Sequence, residues 1–519
     1  MKFCLLLLTY LISFAVTTPI SAQITEQKID SLMNRALAKL QVAGAAIILV
    51  KDGQTVVQKG YGVADMHTQA PVDDQTIFQI ASNSKAFTSA ALAMLVDEGK
   101  LTWEDKVIDH IPEFKMYNDY VTMNMNITDL LTHRSGLGLG AGDLMFFPDS
   151  TDFTVADVLQ VFQHFQPESA FRTQFDYDNL LYIVAGEVIE RVSGQPYEVF
   201  IQQRILTPLG MASSFIGSQP VAQQTNLAKP HSTTTGEMRR IQLFDNGLTN
   251  AAGGIYANVA DMAKWLQLQL NKGHYSNGDS SLFSSENAAK MWTVHTPMAA
   301  HGSARYQTHF SGYGLGWFLT DIRGNMVVSH SGGLPGMLSE VILIPDLNLG
   351  MVLLTNTEYG GGALNDAISR SIMDAYFGLD ELPWIDKNTQ YLADNIHQAD
   401  EETTRVWARV DSLKPQKIDT KRYLGSFQDN WFGEMQIYLK DDALWMRSVR
   451  SPKLNGSMHF YEKDVFAVRW DYRDMECDVL ATFEGEESGK ATSIKLKGIS
   501  PEIDFSFDFQ DLNLRRITP

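Results

Sequence analysis

The chain has 519 residues, 44% of them apolar and 20% charged, with a formal net charge of -19. That composition excludes a disordered or membrane-embedded chain, and the length calls for two or three domains rather than one core. The acidic balance argues against nucleic acid or an anionic membrane as partner, because a phosphate surface repels it.

Residues 1–22 read as a signal peptide. Lys2 opens the segment, Leu5 to Val16 form a short apolar run, and Ser21-Ala22-Gln23 supplies a small-residue cleavage site. The run is too short to span a bilayer and no later one resembles it, so an exported, periplasmic or secreted protein without a transmembrane segment is expected. Cys4 lies within the leader. Cys477 would then stand alone, which rules out an internal disulfide or a Cys-rich metal site and suits a small buried hydrophobe.

Ile24 to Leu40 is predicted helical, and "GAAIILVKDGQTVVQKGYG" predicts a hairpin turning at Asp52-Gly53. "FQIASNSKAFTSAALAML" then starts a helix that should run to about Glu98 and stop at Gly99. Thr102 to about Leu270 is mostly helical. Three strands follow at Met326 to His330, Leu338 to Ile344 and Leu349 to Thr355, then a helix from Ala363 to Phe377. An α/β body is expected over 23–380, with one antiparallel sheet built from both ends of the segment, helices packed on it and an all-helical insertion between. Residues 381–416 read as a linker with some helix. From 417 to 519 short alternating runs, among them Met435-Ile437-Leu439 and Ile503-Phe505-Phe507-Phe509, predict a small antiparallel barrel or sandwich.

Three sites on this chain carry candidate chemistry. Ser82 and Lys85 are three apart, so they share a helix face that continues apolar through Ser89, Ala93 and Val96. A lysine buried there has a lowered pKa and can serve as a base for a serine one turn away. Ser82 also sits at the helix start, where free amides favour an oxyanion; Ser84 points away, and Ser89 lies mid-helix. A bare S-x-x-K is weak evidence, since such a serine is usually an N-cap. Tyr177 and Asn179 precede a second helix, and a tyrosine beside a lysine can shuttle a proton. His330 ends a strand, and Gly332 and Gly333 leave room for a substrate to lie along its edge.

Taken in order, S-x-x-K, Y-x-N and H-x-G resemble the serine β-lactamase and penicillin-binding-protein-like family, above all its class C-like branch of esterases, D-aminopeptidases and D,D-peptidases. "LLTHRSGL", "TPLGM", "AAGGIYANVADMAKW", "GYGLGW" and "HSGGLPG" are further landmarks in family order, over roughly Ile24 to Leu379. The last hundred residues, with "YLGSF", resemble the lipocalin-like β-domain that often follows. The resemblance implies an acyl-enzyme on Ser82, proton transfer by Lys85 and Tyr177 with the first base open, orientation by Asn179, and an oxyanion hole from the Ser82 and Gly333 amides. It implies no metal and no organic cofactor, and a small molecule or short peptide as substrate. His330 stands where β-lactamases and carboxypeptidases have a lysine for the substrate carboxylate. A histidine is mostly neutral near pH 7, which favours ester, amide or aminopeptidase chemistry over β-lactams.

Asp176 and Asp178, flanking Tyr177, are candidates for binding a substrate ammonium, although helix-start carboxylates are common for dipole reasons. The absence of G-x-S-x-G disfavours the nucleophile-elbow hydrolases. His295, His301 and His309 lack any metallohydrolase spacing. Two alternatives stay open: a non-catalytic binding or sensor protein, and a weak β-lactamase or D,D-carboxypeptidase. For the C-terminal domain three roles are open, gating the cleft, mediating homo-oligomers or binding substrate.

Overall fold

Successive side chains on a strand leave opposite faces, and the strand Gly44–Lys51 uses both. Ala45, Ile47 and Leu49 enter one apolar cluster, and Ala46, Ile48 and Val50 enter another. That two-sided burial is why the stretch reads as an unbroken apolar run. The computed structural model describes residues 24–517 except 235, 276–279, 301, 414–417 and 486–488. The leader read over 1–22 and His301 therefore lie outside the described residues.

Gly44–Lys51 turns into Gln54–Asp65 through Asp52 and Gly53, whose φ angles of 53° and 73° are both positive, as a tight hairpin of this hand requires. On its other side Gly44–Lys51 pairs antiparallel with Leu349–Thr355, with Ala46 opposite Leu354. The late strands Asn325–Leu334, Met337–Ile344 and Leu349–Thr355 form a meander, and Thr296–Met298, Ser311–Tyr313 and Phe318–Ile322 extend the sheet beyond it. Nine strands result, with Ala70–Pro71 at the far edge. Helices Glu26–Lys39 and Gly360–Tyr376 cover one face. On the other, Val259–Leu270 packs on the sheet, and Ser84–Asp97 packs among the helices Leu180–Ser193 and Asn250–Gly253. Phe87 of Ser84–Asp97 stacks on Trp265 of Val259–Leu270, centroids 3.7 Å apart, with both side chains fully buried.

Trp384–Ser412 is one continuous 29-residue helix that packs against both Gly360–Tyr376 and the C-terminal region. Its Trp407 lies under the Arg469 guanidinium, 3.8 Å from the ring centroid. The C-terminal region is a closed barrel of eight strands, Gly425–Asp429 through Leu514–Arg516. Cys477 is buried within it and its carbonyl accepts from the Trp470 indole. Among the described residues no helix is long and apolar enough to cross a membrane.

The barrel is not tethered loosely. Phe165 meets Trp431 at 5.3 Å and Phe147 meets Phe507 at 4.9 Å, so one apolar cluster runs through both parts. Arg450 pairs with Asp152 and Asp157 across the seam, and Lys453 with Asp149. The segment Ile503–Phe509 corrects an expectation. Its alternation is not that of a barrel strand, because no ladder includes it. Phe507 and Phe509 are buried, and the polar positions between, Ser506 and Asp508, are buried too, bonded to the sheet-and-helix body. The pattern of two marks a segment wedged between two bodies, not one with a wet face.

Removing the stacked indole beneath the Ser84–Asp97 helix leaves a large cavity. Trp265→Ala should destabilise the sheet-and-helix body by about 3–5 kcal/mol, read as a lowered midpoint in calorimetric or denaturant unfolding.

Candidate active site

Ser82 lies in the single helical turn Ala81–Asn83 that leads directly into Ser84–Asp97. The residue before it, Ala81, has φ 48°, a left-handed conformation that costs a non-glycine about 1–3 kcal/mol and clusters at functional sites. The turn is held against the meander. Asn83 donates to Ser339 Oγ at 2.8 Å, and Ser339 Oγ donates to the Ile80 carbonyl at 2.6 Å.

Lys85 is completely buried, and its Nζ lies 3.0 Å from Ser82 Oγ, 2.7 Å from Asn179 Oδ1 and 3.0 Å from the Ala252 carbonyl oxygen. Burial pulls the amine down to about 7, against the opposing pull of the Asp143 and Asp178 carboxylates. Near neutral pH about half of it is then uncharged. Asn179 Oδ1 and the Ala252 carbonyl can only accept, so they take the two N–H bonds of the neutral amine and leave its lone pair for the Ser82 hydroxyl proton. Tyr177 has its hydroxyl within hydrogen-bonding reach of Ser82, and its ring sits 4.8 Å from Lys85 Nζ. Burial pushes that phenol far up, so it keeps its proton at rest.

The orientation of Asn179 is set from behind. Its Nδ2 donates to Asp143 Oδ2 at 2.8 Å, which leaves Oδ1 for the lysine. Asp143 Oδ2 also accepts from Ser506 Oγ of the C-terminal segment at 2.9 Å. Asp508, two residues on, accepts from the amides of Gly142 and Leu144 at 2.7 and 2.9 Å, on either side of Asp143. A line of hydrogen bonds therefore runs from the C-terminal segment through Asp143, Asn179 and Lys85 to Ser82.

His330 is buried, with Nδ1 2.6 Å from the Ser331 carbonyl and Nε2 2.9 Å from the Tyr313 hydroxyl. A carbonyl only accepts, so Nδ1 carries the proton and Nε2 accepts from Tyr313. Burial, then Lys85, pull the imidazole down to about 3, which makes it neutral at any ordinary pH. Gly333 lines the cavity with Ser82, Tyr177, Asn179 and His330. Gly332 faces the turn instead: a Cβ there would stand 2.4 Å from the Ile80 carbonyl oxygen and 2.5 Å from Ser339 Oγ. Its role in the geometry is to let the strand approach the nucleophile's turn. Ser84 Oγ accepts from the Ile255 amide, and Ser89 is buried beside Gly316.

The cavity has a volume of about 310 Å³. Neither Asp176 nor Asp178 lines it. Asp178 lies behind Tyr177, capping the Leu181 amide and donating its own amide to His133 Nδ1. Sequence reasoning missed the parts that come from elsewhere: Asp143, Tyr313, Glu358 and the Asp504–Ser506 stretch of the C-terminal segment. Tyr313 lies within the landmark "GYGLGW" without having been singled out there, and the others have no motif signal. Among the described residues no group of three or more His, Cys, Asp or Glu is placed to hold a metal ion.

A family model described as Beta-lactamase matches residues 29–371, and one described as a domain of unknown function (DUF3471) matches 412–516. The unguisins hydrolase ungD of Aspergillus violaceofuscus is 28% identical over 427 residues, 78% of this chain and 75% of its own. Protein flp of Staphylococcus aureus (strain COL) is 27% identical over 343 residues, 64% of this chain and 63% of its own, so less than two thirds of that relative is spanned. Among solved structures, the octameric penicillin-binding protein homologue from Pyrococcus abyssi matches with a TM-score of 0.60 at 22% identity, over 94% of this chain and 99% of that one. SurE matches with a TM-score of 0.55 at 18% identity, over 95% and 98%. At such identities the likeness to these structures is one of fold.

Loosening the back of this hydrogen-bonded line should reach the front. Ser506→Ala combined with Asp508→Asn should slow acylation of Ser82 by a fluorophosphonate by about tenfold, the equivalent of roughly 1.4 kcal/mol of lost positioning, timed by intact mass.

Proposed function

The chain belongs to the Beta-lactamase family of serine hydrolases, and on that premise we propose that it is an exported enzyme cleaving small esters or amides, D-amino-acid-containing ones included, through a Ser82 acyl-enzyme. The observation that supports this reading best is the fully buried Lys85 amine held between Ser82 Oγ and Asn179 Oδ1.

Lys85 takes the Ser82 proton as the oxygen attacks the carbonyl carbon, and becomes a three-donor ammonium with Ser82 Oγ, Asn179 and the Ala252 carbonyl around it. The negative charge on the carbonyl oxygen is met by the Ser82 and Gly333 amides, both at the cavity wall. Tyr177, still protonated, gives its proton to the leaving alkoxide or amine and is reprotonated from Lys85. Water then adds to the acyl carbon by the same route in reverse, and Ser82 recovers its proton.

The substrate side disfavours β-lactams. Penicillins and D-Ala-D-Ala ends carry a carboxylate, and among the described lining residues there is no lysine or arginine to meet it, while His330 is neutral. Export rests on the leader read over 1–22, and cleavage at Ala22 would be seen by N-terminal sequencing of the secreted form.

Incubated with a fluorophosphonate, the purified protein should gain one adduct mass, and Ser82→Ala should gain none; an unlabelled wild type would favour a binding or sensor role. With a neutral p-nitrophenyl ester, kcat/KM should rise with pH through about 7 and level off above, because the reactive amine is the deprotonated one and its proton is lost as pH rises past that value. Nitrocefin should be turned over about a hundredfold less efficiently than the ester, the scale of a missing charged partner.

A further inference from the structure

Two carboxylates share the cavity with Ser82. Glu358 follows the sheet strand Leu349–Thr355, and Asp504 belongs to the segment that the barrel sends into the cleft. They come from opposite ends of the architecture and face the same space. Among the described lining residues they are the only charged side chains, and neither has a lysine, arginine or histidine partner among the described residues.

Both are built in. Glu358 Oε2 accepts from the Gly336 amide, and among the described residues no hydrogen-bond donor reaches Oε1. Its backbone is held by a three-residue turn: the Glu358 carbonyl accepts from the Gly360 amide, with Tyr359 between them at φ 48° and ψ -66°. A γ-turn of that hand is rare and strained. Asp504 Oδ1 accepts from the Ser506 amide at 2.9 Å, and the residue lines the cavity. Burial, and then the Asp504 charge, push Glu358 up to about 7, and burial pushes Asp504 up as well. Two half-buried carboxylates on one cavity, with no cation supplied by the described residues, are a cost unless a ligand supplies one. The rest of the wall is largely apolar, with Phe505, Met475, Phe318 and Leu338 around the space.

We propose that Glu358 and Asp504 form a subsite for a primary ammonium, so that the substrates of Ser82 are amino esters, amino amides or short peptides with a free amine. This rests on the Ser82 acyl-enzyme reading and narrows it to a substrate class. The ammonium bridges the two carboxylates, and the apolar wall takes the side chain. The specificity then belongs to the two-part molecule: the sheet-and-helix body supplies one carboxylate and the barrel the other. The acidic residues that hold the amine are not the pair flanking Tyr177.

The test compares matched substrates on the full-length protein. Alanine p-nitroanilide and its N-acetyl form, in both L and D configurations, differ in the charge of the nitrogen. Wild type should prefer the free amine by about tenfold or more in kcat/KM. Glu358→Gln and Asp504→Asn, which keep shape and the Gly336 and Ser506 contacts, should each cut that ratio several-fold, and the double variant should bring it near one. A wild-type ratio near one, or a ratio that survives the double variant, overturns the subsite. Calorimetric titration of Ser82→Ala with alaninamide and N-acetylalaninamide reads the same subsite without turnover. Tighter binding of the free amine, lost in Ser82→Ala/Glu358→Gln, supports it even where the acyl-enzyme reading fails. Equal binding overturns it even where Ser82 is acylated.

Discussion

Everything at this site depends on keeping one amine out of water. A fully buried lysine is disfavoured as a cation, and that penalty is what brings its uncharged form within reach of neutral pH. The helix Ser84–Asp97 puts Lys85 on the face that packs inward, the Phe87–Trp265 stack fixes that helix, and Asn179 and the Ala252 carbonyl occupy its donors. The two buried carboxylates nearby pull the other way and keep the amine from becoming too weak a base. Burial and charge are opposed here, and the balance lies near 7 because neither wins outright.

The parts of this arrangement that were legible in the sequence are local ones. Two apolar β runs around Asp52-Gly53 read as a hairpin because the turn demands two positive φ angles, and the late meander read as strands because its residues are β-branched or leucine and bounded by turn residues. Ser82 and Lys85 share a face by spacing alone. Tyr177, Asn179 and His330 were weak candidates by residue type and position and gained weight through resemblance, since their local patterns also suit packing and capping residues. Asp143 and Glu358 were invisible for a physical reason: each binds groups that only the fold brings to it, Asn179 and Ser506 in one case and the Gly336 amide in the other, and an isolated carboxylate has no periodicity.

The C-terminal segment shows the limit of pattern reading most sharply. Ile503, Phe505, Phe507 and Phe509 alternate as a strand does, yet the segment forms no ladder. Alternation reports only that neighbouring side chains go to different surroundings. Here the aromatic rings and the polar groups find partners on two different bodies, Phe507 on Phe147 and Asp508 on the Gly142 and Leu144 amides. One wedge thereby supplies a hydrogen bond to the back of the site and a carboxylate and a ring to its cavity.

The sheet joins segments that the ribosome makes far apart in time. Ala43 at the head of the first strand donates to Thr357, 314 residues later, and the partner strand Leu349–Thr355 lies just before it. At ordinary synthesis rates that interval is about 15–60 s. Throughout it the early hairpin has an unpaired edge and two apolar faces, a state prone to pairing with other chains. Contacts this distant also make for slow folding once the chain is complete. Until nearly the whole sheet-and-helix body has been made, the strand Gly44–Lys51 is paired on one edge only, to Gln54–Asp65.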